Sequence, residues 1–161
     1  MKKMLAVLLV IAMTGVAICA LLIKTDKSVD QPELDSIYTS DMFKFSVKYP
    51  SVWYVAKQDE FGDPNVGISI LFENNENQKL RIFGVVSSTP FGEYEGVEKT
   101  EYITSKGMVA DCYSRTWQDG IVKTYMLGEW KELAVLVTMT ESMYNKYEKT
   151  ILNIVNSIEF L

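Results

Sequence analysis

The side chains able to do chemistry in this chain are few in kind. Its 161 residues include no histidine. That removes Ser-His and Cys-His nucleophile pairs, imidazole-ligated zinc and the usual near-neutral general base. Carboxylates, lysines and two cysteines remain. Asp59, Glu60 and Asp63 share one segment with Gly62 and Pro64 and could hold calcium through hard oxygen ligands. Their spacing does not match an Asp-x-Asp-x-Asn-Gly loop, so the segment reads as a solvated turn. The run Glu73-Asn-Asn-Glu-Asn77 reads the same way. Paired carboxylates such as Glu93 and Glu95 do acid–base work in glycosidases, but no apolar cleft is visible around any pair. No Ser-x-x-Lys occurs, so a serine has no lysine base at that spacing. Cys112 lies in a strand pattern with no base beside it and reads as a small core residue. No catalytic residue, cofactor or metal is expected.

The remaining candidates are aromatic. Pro90-Phe-Gly-Glu-Tyr-Glu-Gly96 sets Phe91 and Tyr94 among glycines and acids, and Trp117 and Trp130 flank a turn-rich region. Aromatics on exposed loops suit protein recognition. The competing reading folds them back onto a sheet.

The elements that must position these residues follow from periodicity. Met4–Ile23 is an uncharged apolar run after Lys2 and Lys3, about 30 Å long as a helix and enough to cross a bilayer. This favours an uncleaved membrane anchor. A cleaved signal with Gly15-Val16-Ala17 at its cleavage site ranks second. Lipidation at Cys19 ranks third, because Ile18 stands where a small residue belongs. All three export the body, with the two lysines on the inner side. Residues 24–40 are polar and read as a tether, leaving 41–161 as an extracytoplasmic domain. From Lys24 onward fourteen basic residues face twenty-one acidic ones. So acidic a body lacks the clustered basic face of a nucleic-acid binder. The expected partners are the membrane, through residues 4–23, and another envelope protein.

Within the domain, Phe43, Phe45, Val47 and Tyr49 alternate with Lys44, Ser46 and Lys48, the period of a half-buried strand. Pro50 ends it, and Trp53–Lys57 is expected to return as its hairpin partner. Further strands are read at Val66–Phe72, Lys79–Ser87, Glu98–Ser105 and Met108–Trp117. Asp119-Gly120 reads as a turn into Ile121–Leu127. Leu133–Met139, apolar on both faces, reads as a central strand. Tyr144, Tyr147, Ile151, Ile154, Val155 and Ile158 recur every three or four residues, predicting an amphipathic helix capped by Ser142.

Phe43-Lys-Phe-Ser-Val-Lys-Tyr-Pro-Ser-Val-Trp53 resembles the opening signature of the PsbP-like (Mog1/PsbP) superfamily. Ile154-Val-Asn-Ser-Ile-Glu-Phe160 is similar to its usual ending. The resemblance spans about residues 38–161 and implies an α+β fold, an antiparallel sheet packed against a C-terminal amphipathic helix. It also implies a domain that binds or assembles rather than catalyses. Plant members are extrinsic photosystem subunits, and bacterial ones are anchored or secreted. The chain departs from the family in having no histidine and in a Gly/Pro-rich Ser88–Glu98 segment too short for a long helix. No functional residue carries over.

Overall fold

The computed structural model describes residues 31–56, 67–85 and 96–161. The strands are β1 (Ser36–Ser40), β2 (Phe45–Tyr49), β3 (Tyr54–Ala56), β4 (Gly67–Leu71), β5 (Lys79–Gly84), β6 (Glu98–Ile103), β7 (Val109–Trp117), β8 (Gly120–Leu127), β9 (Leu133–Thr140) and β10 (Glu159–Phe160). Among the described residues one α-helix, α1 (Glu141–Ser157), lies between β9 and β10, and a short 3-10 turn, Phe72–Asn74, follows β4. The strands form an antiparallel seven-stranded sheet, β3-β4-β5-β9-β8-β7-β6, and a three-stranded sheet, β1-β2-β10. The expected sheet with a C-terminal amphipathic helix is present. The expected anchor at residues 4–23 lies outside the described residues. Among the described residues no helix is long and apolar enough to cross a membrane.

Alternation places the core. On β9 Leu133, Val135, Val137 and Met139 are buried, as are Leu80 and Ile82 on β5 and Ile68 and Ile70 on β4, one face of a pleated sheet. β9 is the fourth strand of seven, as its apolar run predicts. Its other face is only partly covered: Ala134 is buried, whereas Leu136 and Thr138 are half-exposed. The helix presents Tyr144, Tyr147, Thr150, Ile151, Ile154 and Val155 to this core and packs on β2, β8 and β9.

The Phe43–Trp53 stretch divides differently from expectation. Phe45, Val47 and Tyr49 are buried as the alternation requires, but β2 pairs with β1 and β10, while β3 pairs with β4 in the other sheet. The hairpin does not form. Trp53 instead lies against Phe72 and Tyr147, with ring centroids 4.3 and 5.3 Å away. Phe43 leaves the strand, because Lys44 takes a left-handed φ of 52°. Its ring covers Gly84, where any Cβ would collide with it. Glycine there lets the β1–β2 turn reach the large sheet.

Three boundaries also shift. The unit Gln31–Leu161 includes β1 (Ser36–Ser40), which lies within the segment expected at 24–40 to be a tether. The Gln31 amide hydrogen-bonds to α1 through the Lys146 carbonyl and Thr150. Helix α1 starts earlier than expected: Thr140, not Ser142, caps it, its Oγ1 accepting from the Met143 N–H at 3.3 Å. The β7–β8 turn is Gln118-Asp119, with Gly120 already paired to Trp117 and Gln118 at φ 50°.

Candidate functional site

Of the four aromatic candidates, Trp117 and Trp130 fall within the described residues. Phe91 and Tyr94 lie outside the described residues, as do the acidic groups Asp59/Glu60/Asp63 and Glu93/Glu95. Trp117 ends β7 and pairs with Gly120, at one end of β8. Trp130 sits beyond the other end of β8, in the turn to β9. Seven residue steps of strand, about 23 Å, separate those ends, so the backbones at the two tryptophans lie at opposite ends of β8. Trp130 is 81% exposed. Its backbone N–H donates to Glu132 Oε2 at 2.9 Å, which fixes the turn while leaving the indole in solvent.

The densest group of titratable side chains lies between α1 and strands β6–β8. Lys123 Nζ donates to the Tyr144 hydroxyl at 2.8 Å and lies 4.1 Å from the centre of that ring. The Tyr144 hydroxyl donates in turn to Glu148 Oε1 at 3.1 Å. Tyr125 packs edge-on against Tyr102 at 5.6 Å, and the Tyr102 hydroxyl donates to Asn156 Oδ1 at 3.0 Å. Cys112 is buried nearby at 7% exposure. Burial pushes the Cys112 thiol up, against the weaker opposing pulls of Thr100 and Lys123. Burial and a hydrogen bond with Tyr144 push the Tyr125 phenol up as well. Both groups therefore hold their protons at neutral pH, the opposite of an activated nucleophile. The arrangement ties α1 to the sheet and can offer hydrogen bonds. Among the described residues, no three His, Cys, Asp or Glu side chains are placed to hold a metal.

What local reading missed is where the exposed apolar side chains collect. Gly84, Leu133, Leu127 and Ala110 lie at the same end of the large sheet by register. At that end Trp130, Ile103 and Val109 are exposed, the last two paired across the β6–β7 hairpin. The β1–β2 turn arrives there through Phe43 on Gly84, bringing exposed Met42. The C-terminus follows: Phe160 pairs with Phe45 and the Leu161 N–H donates to the Lys44 carbonyl at 2.7 Å. Among the described residues, six of the nine exposed large apolar ones, Met42, Ile103, Val109, Trp130, Phe160 and Leu161, thus share one end of the domain. Gln31, the first described residue, lies at the opposite end, where it meets the first half of α1. No sequence periodicity signals this clustering, because turns and register bring the residues together.

The C-terminal end of α1 belongs to the same end. It has no basic residue in its own last turn. Lys106, from the β6–β7 turn, reaches the Ser157 and Ile158 carbonyls at 3.4 Å and Glu159 at 2.6 Å. A cation there complements the helix dipole and the unpaired carbonyls. The Ser105 N–H donates to Asn156 at 2.9 Å, so the hairpin carrying Ile103 and Val109 is held firmly to the helix.

No protein-family model matches the chain, and no curated protein matches it. Among solved structures, the chain is similar to the solution structure of cyanobacterial PsbP (CyanoP) from Synechocystis sp. PCC 6803. The TM-score is 0.51 at 9% sequence identity, with 78% of this chain and 92% of that chain covered. The fold is PsbP-like.

Proposed function

We propose that this chain is a membrane-tethered, extracytoplasmic binding or assembly module without catalytic activity. The observation that carries the reading is the apolar end of the domain, where Trp130, Ile103, Val109, Met42, Phe160 and Leu161 are exposed on rigid turns and strand ends. Large apolar side chains left exposed at one end of a domain are what soluble domains ordinarily bury against a partner, and tryptophan is among the side chains most enriched in binding hot spots. Two further features support it. The apolar run at 4–23 behind Lys2 and Lys3 supplies a bacterial-type signal anchor, or a lipid attachment at Cys19 if the segment is processed. The buried thiol of Cys112 and phenol of Tyr125 are held in their protonated forms, unlike activated nucleophiles.

The partner is another envelope protein, engaged at the end of the domain away from Gln31. Capture of the tagged full-length chain from its native membranes tests this. One recurring envelope protein is expected, and Trp130→Ala is expected to weaken its retention by at least about 2 kcal/mol, the scale of a hot-spot truncation. Reproducible absence of a partner, together with turnover of a cell-envelope substrate, overturns the reading. Protease treatment of intact cells tests the location separately. The domain is expected to be cleaved, and its protection would place it inside.

A further inference from the structure

Among the described residues, strand β6 is an open edge of the seven-stranded sheet. Five of its six residues, in Glu98-Lys-Thr-Glu-Tyr-Ile103, are exposed. The opposite edge, β3, has only three residues. An edge strand presents a row of backbone donors and acceptors able to take another strand. Charge on such an edge ordinarily repels neighbours, so the pattern of charge decides what can add.

Lys99 and Glu101 lie on one face of β6, opposite Tyr113 and Asp111 of β7. Glu101 is therefore set directly across from a like charge, an unfavourable cross-strand pair. Asp111 is compensated by Lys99 at 3.4 Å and Lys131 at 3.7 Å. The hydrogen bond with Asp111 holds the Lys99 ammonium more firmly protonated. Among the described residues Glu101 has no cation of its own. It lacks one on the side where the sheet ends.

We infer that β6 pairs antiparallel with β6 of a second copy of this chain, about a two-fold axis through Thr100, so that the two large sheets become one. In that register Lys99 faces Glu101 of the second copy, and the symmetric pair repeats it. Thr100 faces Thr100, and Glu98 faces Tyr102. A two-fold axis normal to the sheet keeps the Lys99/Glu101 faces on the same side, so the charges meet directly. Moving the axis by one residue sets Lys99 against Lys99 or Glu101 against Glu101. The edge charges thus admit one register and reject its neighbours. Across the joined face the charges alternate as Glu101 of the second copy, Lys99, Asp111 and Lys131. The paired residues Glu98–Tyr102 include none of the amino-terminal segment and stop short of Ile103, the nearest residue of the apolar end, so failure of the pairing leaves the binding-module reading standing, and the reverse holds.

The test uses full-length chains carrying two different tags, expressed together and extracted in mild detergent. Wild-type chains are expected to co-purify. Lys99→Glu with itself, and Glu101→Lys with itself, are expected to co-purify about tenfold less or worse, since symmetry reverses two cross-strand charge pairs at once. Lys99→Glu mixed with Glu101→Lys restores opposite charges at both positions and is expected to recover the wild-type level. Both side chains are exposed, so the variants should stay folded, with Lys99→Glu melting slightly lower because it loses its surface pair with Asp111. Three results overturn the inference: no co-purification of wild-type chains, single reversals without effect, or a mixture that fails to recover. Retention of a different protein's strand without self-association also overturns it.

Discussion

Replacing Phe72 by alanine probes how the two sequence-adjacent halves of the Phe43–Trp53 stretch are held. Phe72 is fully buried, between Trp53 at 4.3 Å and Tyr147 of α1 at 5.5 Å. A buried phenylalanine removes about 150–250 Å² from water. At about 25 cal/mol per Å² that is roughly 4–6 kcal/mol, and a compact unfolded state lowers it to about 3–5. Measured phenylalanine truncations in cores fall in the same range, about 3–5 kcal/mol. The two tilted ring contacts add about 0.5–1.5 kcal/mol each beyond area. Phe72→Ala should therefore remove about 4 kcal/mol, a large part of the stability of a domain this size. Urea unfolding followed by tryptophan fluorescence measures it. A Phe72→Leu/Tyr147→Leu double-mutant cycle should show a coupling of at least about 0.5 kcal/mol. A loss below about 1.5 kcal/mol, or no coupling, would refute the aromatic clamp between β3, the turn after β4 and α1.

Three further outcomes follow from specific contacts. Lys146 and Tyr147 hydrogen-bond to Glu73 and hold its carboxyl below its ordinary value, Lys146 contributing most. A depressed carboxyl stabilises above the unfolded pKa and loses that contribution as pH falls, so melting temperature should drop between about pH 5 and pH 3; Glu73→Gln should shallow that drop, and an unchanged profile counts against the contact. The Cys112 thiol, buried and raised, should resist alkylation at pH 7.5 in a Cys19→Ser chain until the domain unfolds, and rapid labelling of folded protein would contradict the burial. A chain starting at residue 41 loses β1, including buried Tyr38 and Ser40, and should melt well below one starting at Gln31. Equal melting temperatures would show that β1 is dispensable.

Much of the fold was legible because local periodicity and burial agree. The alternation in β2, β4 and β5 and the three-four spacing in α1 each describe one face against one core. β1 was hidden because its pattern runs the other way, with Tyr38 and Ser40 buried and Ile37 exposed. A buried serine between polar neighbours looks like a linker. The expected hairpin failed for a different reason. Tyr49-Pro50-Ser51-Val52-Trp53 has turn chemistry, and the Trp53 N–H does bond back to the Pro50 carbonyl at 3.2 Å. Which strand accepts the next segment is set by long-range pairing, with β10 taking the edge of β2 from more than a hundred residues away. Helix α1 begins at once where β9 ends, so Thr140 is both last strand residue and cap, a double role no window reveals. The exposed apolar end was legible only at Trp130. Ile103 and Val109 look like ordinary strand residues, and Phe160 and Leu161 like a tail, until register places them beside the β1–β2 turn.

The most direct test of the binding-module account is photo-cross-linking in native membranes, with a benzophenone amino acid at position 130 of the full-length chain. Val52, exposed at the opposite end, serves as the control position. The account predicts a discrete adduct with one envelope protein from position 130 and none from position 52. No adduct at 130, or the same adducts from both positions, would contradict it.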